Sequence, residues 1–455
     1  MVLPALLISC WMPAPALTCH LADTCAHMCD IDVIFTSGQA FTWRRLESSA
    51  GSSWVGVLGS RLILLKQEQR STATRRATAR TKATLGVVPG HLVCDGCASS
   101  KDAVFTLTAT LLDSSDDSDI ALSTSRFRDF LTQYLRLDTN LQVLWQEWTS
   151  PTGHAVVDGM RTYLRDVTAM GDRRDLPPFG LRLLRQDPLT MIVSFICSQN
   201  NHQSRIAAMV MKVCSLGSGA RVYDGPLASS MLTGKITLDV DGVGVGGKRS
   251  RDPQVRATFV WYPFPTAVNL SKISEERWRA AGFGYRAKYM AASSLRLARD
   301  DAFARHLLHS PADVPLGSLR EALTSLSGVG RKVADCIALM AYGGVASSIV
   351  PIDTHMAQVT VDMIRRAHAP KGPPAKAGSA ASHRLLAELM DVEVPVVRCL
   401  LEVKKRDTKL AVTPRLHDCF QRLYVSVFGN YAGWAHCFLF SRRVSHSAVR
   451  LTAAH

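Results

Sequence analysis

Lys332 and Asp353 are the two residues of this 455-residue chain whose type and placement best suit chemistry. They lie in the stretch Leu323 to His355, LTSLSGVGRKVADCIALMAYGGVASSIVPIDTH. Apolar residues at Leu326, Val329, Val333, Ile337 and Met340 keep helical spacing across a break at Ser327-Gly328-Val329-Gly330, which predicts a helix, a tight turn and a second helix. Gly328 and Gly330 let the turn double back and leave the first amides of the second helix uncovered, a place suited to a phosphate. Lys332 falls in the first turn of that helix, and Cys336 follows on the same face. Asp353 is placed to N-cap the next amphipathic run, Met356 to Arg366. A lysine amine is a nucleophile when neutral, and desolvation together with the helix N-terminus is expected to lower its pKa. The carboxylate at the second helix start could stabilise cationic character at the reacting centre.

The elements that must hold these groups belong to a chain long enough for two or three domains. Its 53 basic and 38 acidic residues give a net charge of +15, which fits a polyanion or an anionic membrane surface as partner. Twelve thinly spread cysteines indicate a reducing compartment, and no uninterrupted apolar run is long enough to span a membrane. Residues 1–30 read as an irregular N-terminal extension. The first basic residue is Arg44, so neither a secretory nor a mitochondrial address is legible. From 31 to 124 short β-like runs such as Trp54 to Leu58, Leu62 to Leu65 and Val104 to Thr108 predict a small antiparallel sheet domain, with a basic insertion near 70–82. From 125 to 445 the pattern is helical, with insertions near 216–256 and 367–414, and 446–455 form a tail.

Three other features compete for attention. Cys94-Asp-Gly-Cys97 reads as a hairpin turn because no second cysteine pair lies near it in sequence, and Cys10, Cys19, Cys25 and Cys29 match no standard zinc spacing. No metal site is expected. Gly242 to Lys248 imitates a phosphate-binding loop, but Arg249 stands where a Mg²⁺-binding Ser or Thr should be and no helix follows. A nucleotide-binding protein built on that loop is the least favoured reading.

The order GVGRKVADC followed by PIDTHM resembles the helix-hairpin-helix DNA glycosylases, and within them the 8-oxoguanine DNA glycosylase family. Similar stretches recur in Ser37 to Trp43, Leu183 to Pro188, Val193 to Asn201, Trp261 to Pro265, Gly282 to Tyr289 and Phe428 to Ser441. The resemblance implies an α+β fold, an N-terminal antiparallel, TBP-like sheet domain followed by an all-α helix-hairpin-helix core. It implies a bifunctional DNA glycosylase and AP lyase of base-excision repair, in which Lys332 attacks C1′ and Asp353 assists. The base pocket would comprise Gly38, Cys336, Met340, His436 and Phe440, the Gly38 carbonyl accepting the N7 proton that 8-oxoguanine has and guanine lacks. DNA would be held by Gly328, Gly330 and His355. Asn200 would fill the hole left by the extruded base, Arg205 and Arg286 would read the orphaned cytosine, and Tyr285 would wedge the duplex.

One position departs from the family pattern: His436 stands where glutamine usually reads the Watson-Crick edge of the base. A neutral imidazole, with one donor and one acceptor, replaces only part of that contact. A non-catalytic or weakly active lesion-binding protein of the same fold is therefore the alternative. Cys399, Cys419 and Cys437 lie too far apart in sequence for an iron-sulfur cluster, so no cofactor is expected. The expected partner is double-stranded DNA carrying oxidised guanine opposite cytosine, with no membrane. The protein is expected to be a monomer in the nucleus, with the mitochondrion left open.

Overall fold

The computed structural model describes residues 17–46, 51–69, 91–94, 97, 104–116, 122–168, 180–228, 254–309, 314–368, 380–402 and 411–441. Six strands form the N-terminal sheet: β1 (Leu17–Thr24), β2 (Trp43–Leu46), β3 (Gly51–Leu58), β4 (Arg61–Gln69), β5 (His91–Leu92) and β6 (Phe105–Ser114). Their order is β2-β3-β4-β6-β1-β5, and every pair is antiparallel except β1 with β5. A short helix, α1 (Ile31–Thr36), is capped by Asp30, whose carboxylate accepts from Asp32 N and Val33 N. The sheet therefore begins before residue 31. Residues 17–24, expected within an irregular extension, form β1, which lies between β6 and β5 and buries Leu21 and Ala22.

The helical region follows, with α2 (Thr124–Leu135), α3 (Leu141–Thr149), α4 (Ala155–Thr168), α5 (Pro188–Ser198) and α6 (Gln203–Gly217). A hairpin of β7 (Arg221–Ala228) and β8 (Gln254–Trp261) interrupts it. Most of the span expected as a loose insertion at 216–256 is thus bounded by paired strands. Its glycine-rich loop at 242–248, and the basic run near 70–82, lie outside the described residues. Next come α7 (Ala267–Ser271), α8 (Glu275–Trp278), α9 (Arg286–Arg299), α10 (Asp301–Leu308), α11 (Leu316–Thr324), α12 (Arg331–Ala341) and α13 (Thr354–His368). The chain then forms α14 (Ala380–Met390), α15 (Val394–Glu402), α16 (Pro414–Phe428) and a last helix, α17, over 432–441. Among the described residues no helix is long and apolar enough to cross a membrane.

Sheet and helices share one core, joined by a few polar side chains buried between them. Trp43 stacks on Phe35 at 4.4 Å and donates from Nε1 to the Tyr134 hydroxyl at 2.8 Å, which pins β2 to α2. Arg182 is fully buried. Its guanidinium donates to the Met28 carbonyl at 2.6 Å, to Leu135 O at 3.0 Å, to Thr139 O at 2.5 Å and to Arg136 O. Burial brings its pKa down to about 10, which still leaves the charge intact at neutral pH. The segment 181–186 then threads between the two regions. Gln39 donates to Arg182 O at 2.8 Å and accepts from Leu184 N at 2.9 Å, while Gln186 donates to Gln39 O at 2.7 Å and to Met340 O at 2.8 Å. These bonds fix the sheet domain against the end of α12.

Replacing Arg182 with Leu deprives four carbonyls, two buried and two partly buried, of a charged donor at once. The variant is expected to lose roughly 3 kcal/mol or more of unfolding free energy in urea denaturation. A loss under about 1 kcal/mol would mean that the guanidinium does not clamp the two regions.

Candidate active site

Gly328 carries φ +80°, a left-handed turn that L side chains rarely adopt, and a Cβ there would come within 2.5 Å of Tyr289 Cγ. Gly330 differs: its φ of −83° suits any residue, and a Cβ there would meet nothing within 4 Å. One glycine makes the turn and the other keeps the end of α12 open. Gly330 is the N-cap of α12 and offers no side-chain cap, so the helix begins with uncovered amides. Asp335, within the same helix, is fully buried; Arg320 Nε donates to it at 2.8 Å and His417 Nε2 lies 2.8 Å from its second oxygen. That pairing anchors α12 from behind.

Asp353 divides its carboxylate between two tasks. Oδ1 accepts from His355 N at 3.0 Å and Met356 N at 2.9 Å, capping α13. Oδ2 is left to face Lys332 Nζ, 3.8 Å away. The Lys332 side chain stays 38 % exposed, so the desolvation imposed on it is partial. Its ammonium is held above the ordinary lysine range, first by the Cys336 sulfur, with burial pulling the other way and Asp353 adding to the upward push. Burial in turn drives the Cys336 thiol upward against the pull of Lys332. The lowered lysine pKa expected from sequence is therefore overturned. The sulfur and the partner carboxylate act against desolvation, in the direction that favours the ammonium.

Helix α17 passes close to this pair because Gly433 permits it: a Cβ there would lie 2.6 Å from Ile349 O and 2.7 Å from Ser347 O. The close crossing brings His436 into electrostatic reach of Asp353 and Lys332. His436 is buried and stacks on the half-buried Phe440 ring at 5.9 Å and 18°. Desolvation pushes its pKa down to about 4, so the ring is neutral at physiological pH. Cys336 and Met340 are buried on α12. Gly38, with φ +87°, sits beside Gln203 at the start of α6, and the following Gln39 ties it through Gln186 to Met340.

A second group gathers around the Gln199 carbonyl, which accepts from the Tyr285 hydroxyl at 3.1 Å and from Arg286. Gln199 Nε2 donates to Gly328 O at 2.5 Å, so this group is joined to the hairpin. Asn200 is exposed with φ +44°, and Tyr285 is exposed and held between Gly284 and the Arg286 guanidinium, which lies 4.5 Å from its ring. Arg205 and His355 face solvent. Arg286 does not present a free fork: it is buried against Gln199 and Asn200, and its Nε is buried without a hydrogen-bond partner. Sequence reasoning passed over Arg182, Gln186, Asp335 and Gly433, whose importance lies in long-range contacts that no local spacing signals.

The family model described as "8-oxoguanine DNA glycosylase, N-terminal domain" matches residues 23–192. The chain is 26 % identical over 410 residues to the N-glycosylase/DNA lyase OGG1 of Arabidopsis thaliana, covering 90 % of this chain and 76 % of that protein. It is 29 % identical over 331 residues to the N-glycosylase/DNA lyase of Saccharomyces cerevisiae, covering 71 % and 68 %. The fold is similar to that of Clostridium acetobutylicum 8-oxoguanine glycosylase/lyase in complex with double-stranded DNA containing cytosine opposite 8-oxoG. The TM-score is 0.50 at 16 % identity, over 92 % of this chain and 93 % of that one.

The buried His436 has a consequence for stability. Above the ordinary histidine pKa of about 6.5 it is neutral whether the chain is folded or not. Between that value and about 4 only the unfolded chain takes up the proton, so stability falls as the pH drops through this window. His436→Gln is expected to flatten the fall. Urea unfolding of both proteins at pH 7 and pH 5 measures it, and equal losses would rule out a neutral buried imidazole.

Proposed function

We infer that this chain, a member of the 8-oxoguanine DNA glycosylase family, is a base-excision repair enzyme that removes 8-oxoguanine paired with cytosine and then nicks the strand as a lyase. The observation that carries the reading is Asp353: one oxygen caps α13 while the other faces Lys332 Nζ across 3.8 Å, beside the open N-terminus of α12. A phosphate of the bent strand would meet those uncovered amides, with His355 close by at the next helix start. The duplex would be opened at Tyr285, with Asn200 filling the gap and Arg205 and Arg286 turned to the orphaned cytosine. The extruded base would enter between Phe440 and Cys336, with Met340 and His436 lining its edges and the Gly38 carbonyl accepting from its N7.

The chemistry then needs Lys332 to lose its proton. Neutral Nζ forms a bond to C1′ as the bond to the base breaks and the base carries away the electron pair. Opening of the sugar ring gives an imine, loss of a C2′ proton follows, and the 3′ phosphate departs. Asp353 stabilises the cationic sugar through Oδ2, an orientation its capping bonds hold in place. The protein acts as a monomer on nuclear DNA in this reading.

Borohydride should trap a covalent protein-DNA adduct with duplex containing 8-oxoguanine opposite cytosine, and Lys332→Gln should bind that duplex but give no adduct. Retained binding without any wild-type adduct would sink the enzymatic reading in favour of a lesion-binding protein. A pH series adds a second check. Because the ammonium is favoured at rest, adduct formation should rise with pH through the alkaline range, and Cys336→Ala, which removes the largest upward push on Lys332, should move the rise to lower pH. An unmoved profile would mean that the sulfur does not govern the lysine.

A further inference from the structure

Cys25 and Cys94 are 69 residues apart in sequence, yet their sulfurs are 3.6 Å apart. The backbone explains how. Residues Asp23 and Thr24 of β1 pair in parallel with His91 and Leu92 of β5, and Cys25 N continues the pairing by donating to Leu92 O at 3.2 Å. Cys94 follows two residues beyond β5, and Cys97 N donates to Cys94 O at 2.9 Å, a tight turn that returns the second cysteine of the CxxC to the first. The three sulfurs all lie within 4.8 Å of one another, and all three residues are buried.

The spacing is informative. Two sulfurs bound to one tetrahedral zinc at about 2.3 Å each stand about 3.8 Å apart, close to what Cys25 and Cys94 already show. A disulfide would need about 2.04 Å. Buried cysteine is often only a small apolar side chain, as Cys197 and Cys214 illustrate in forming no such group among the described residues. The convergent trio sits at the β5 edge of the sheet. Strand β5 contributes two residues and one buried apolar side chain, Leu92, to the sheet edge. A metal crosslink there would close the long loop between β1 and β5, which two backbone pairings secure only weakly.

We propose that Cys25, Cys94 and Cys97 form a structural site for a thiophilic divalent ion, zinc by ligand type. The three thiolates would supply three of the four tetrahedral positions; His27 and Cys29, on the turn after Cys25, do not belong to the convergent group. The ion fastens the β5 edge to the turn whose Met28 carbonyl receives Arg182.

Full-length protein produced in zinc-supplemented medium and purified without chelators should contain close to one zinc per chain. That zinc should be lost in Cys94→Ser/Cys97→Ser. Cobalt added to chelator-stripped protein should give the visible and near-ultraviolet bands of tetrahedral thiolate coordination, a readout that needs no variant should the double substitution fail to fold. Chelation should lower Tm in the wild type but not in Cys94→Ser. Zinc-free wild-type protein without cobalt-thiolate bands would overturn the site, as would an intact mass two hydrogens short that assigns a Cys94-Cys97 disulfide.

Discussion

A single buried positive charge holds the two halves of this protein in register. The hydrogen-bond partners of the Arg182 guanidinium are backbone carbonyls, one from the turn after β1 and three from the end of α2 and the residues just beyond it, with Asp138 adding a favourable charge nearby. Carbonyl dipoles aimed at a cation from both regions satisfy the charge only when the regions are docked, so separation would expose or orphan it. The same guanidinium lies 5.9 Å from the Trp434 ring, with Arg136 at 5.0 Å, and so also touches the helix that carries His436. Gln39 and Gln186 extend the arrangement to Met340. A glycine in the sheet domain and a lysine at the far end of α12 thereby belong to one rigid frame.

Within that frame the Lys332–Asp353 pair is arranged economically. The carboxylate that starts α13 is immobilised by the amides it caps, and its remaining oxygen acquires a direction as a result. Helix α12 is fixed through buried Asp335, one residue before Cys336, rather than through an N-terminal cap. Its open end can therefore stay open without loosening the helix. Side chains held by structural bonds in this way lose little freedom on reaching a reacting geometry.

Much of this was legible in the sequence because it is local. The hairpin at Ser327 to Gly330, the helix starting beside Lys332 and the capping Asp353 all follow from spacing and cap chemistry over a few residues. What escaped was set by distance. Strand β1 reads as irregular because Cys19 and the mixed polarity around it lack clean alternation; β6 and β5 on either side make it a strand. Cys94 and Cys97 looked like an isolated turn because their neighbour Cys25 arrives through sheet pairing. Arg182 reads like any surface arginine until its four carbonyls surround it. The charge of Lys332 was misjudged for the same reason, since it depends on how far burial is offset by Cys336 and Asp353.

The resting position of Arg286 bears on how such a protein would travel along DNA. With Arg286 as a cytosine reader, the residue begins turned inward, engaged with Gln199 and Asn200 carbonyls and roofed by Tyr285. A binding-competent conformer must give up those contacts, and any fraction of molecules that has not done so lowers the apparent affinity in proportion. Intact base pairs offer no cytosine edge in exchange. Under the proposed function, release of Arg286 from these contacts is favoured where a cytosine has lost its partner.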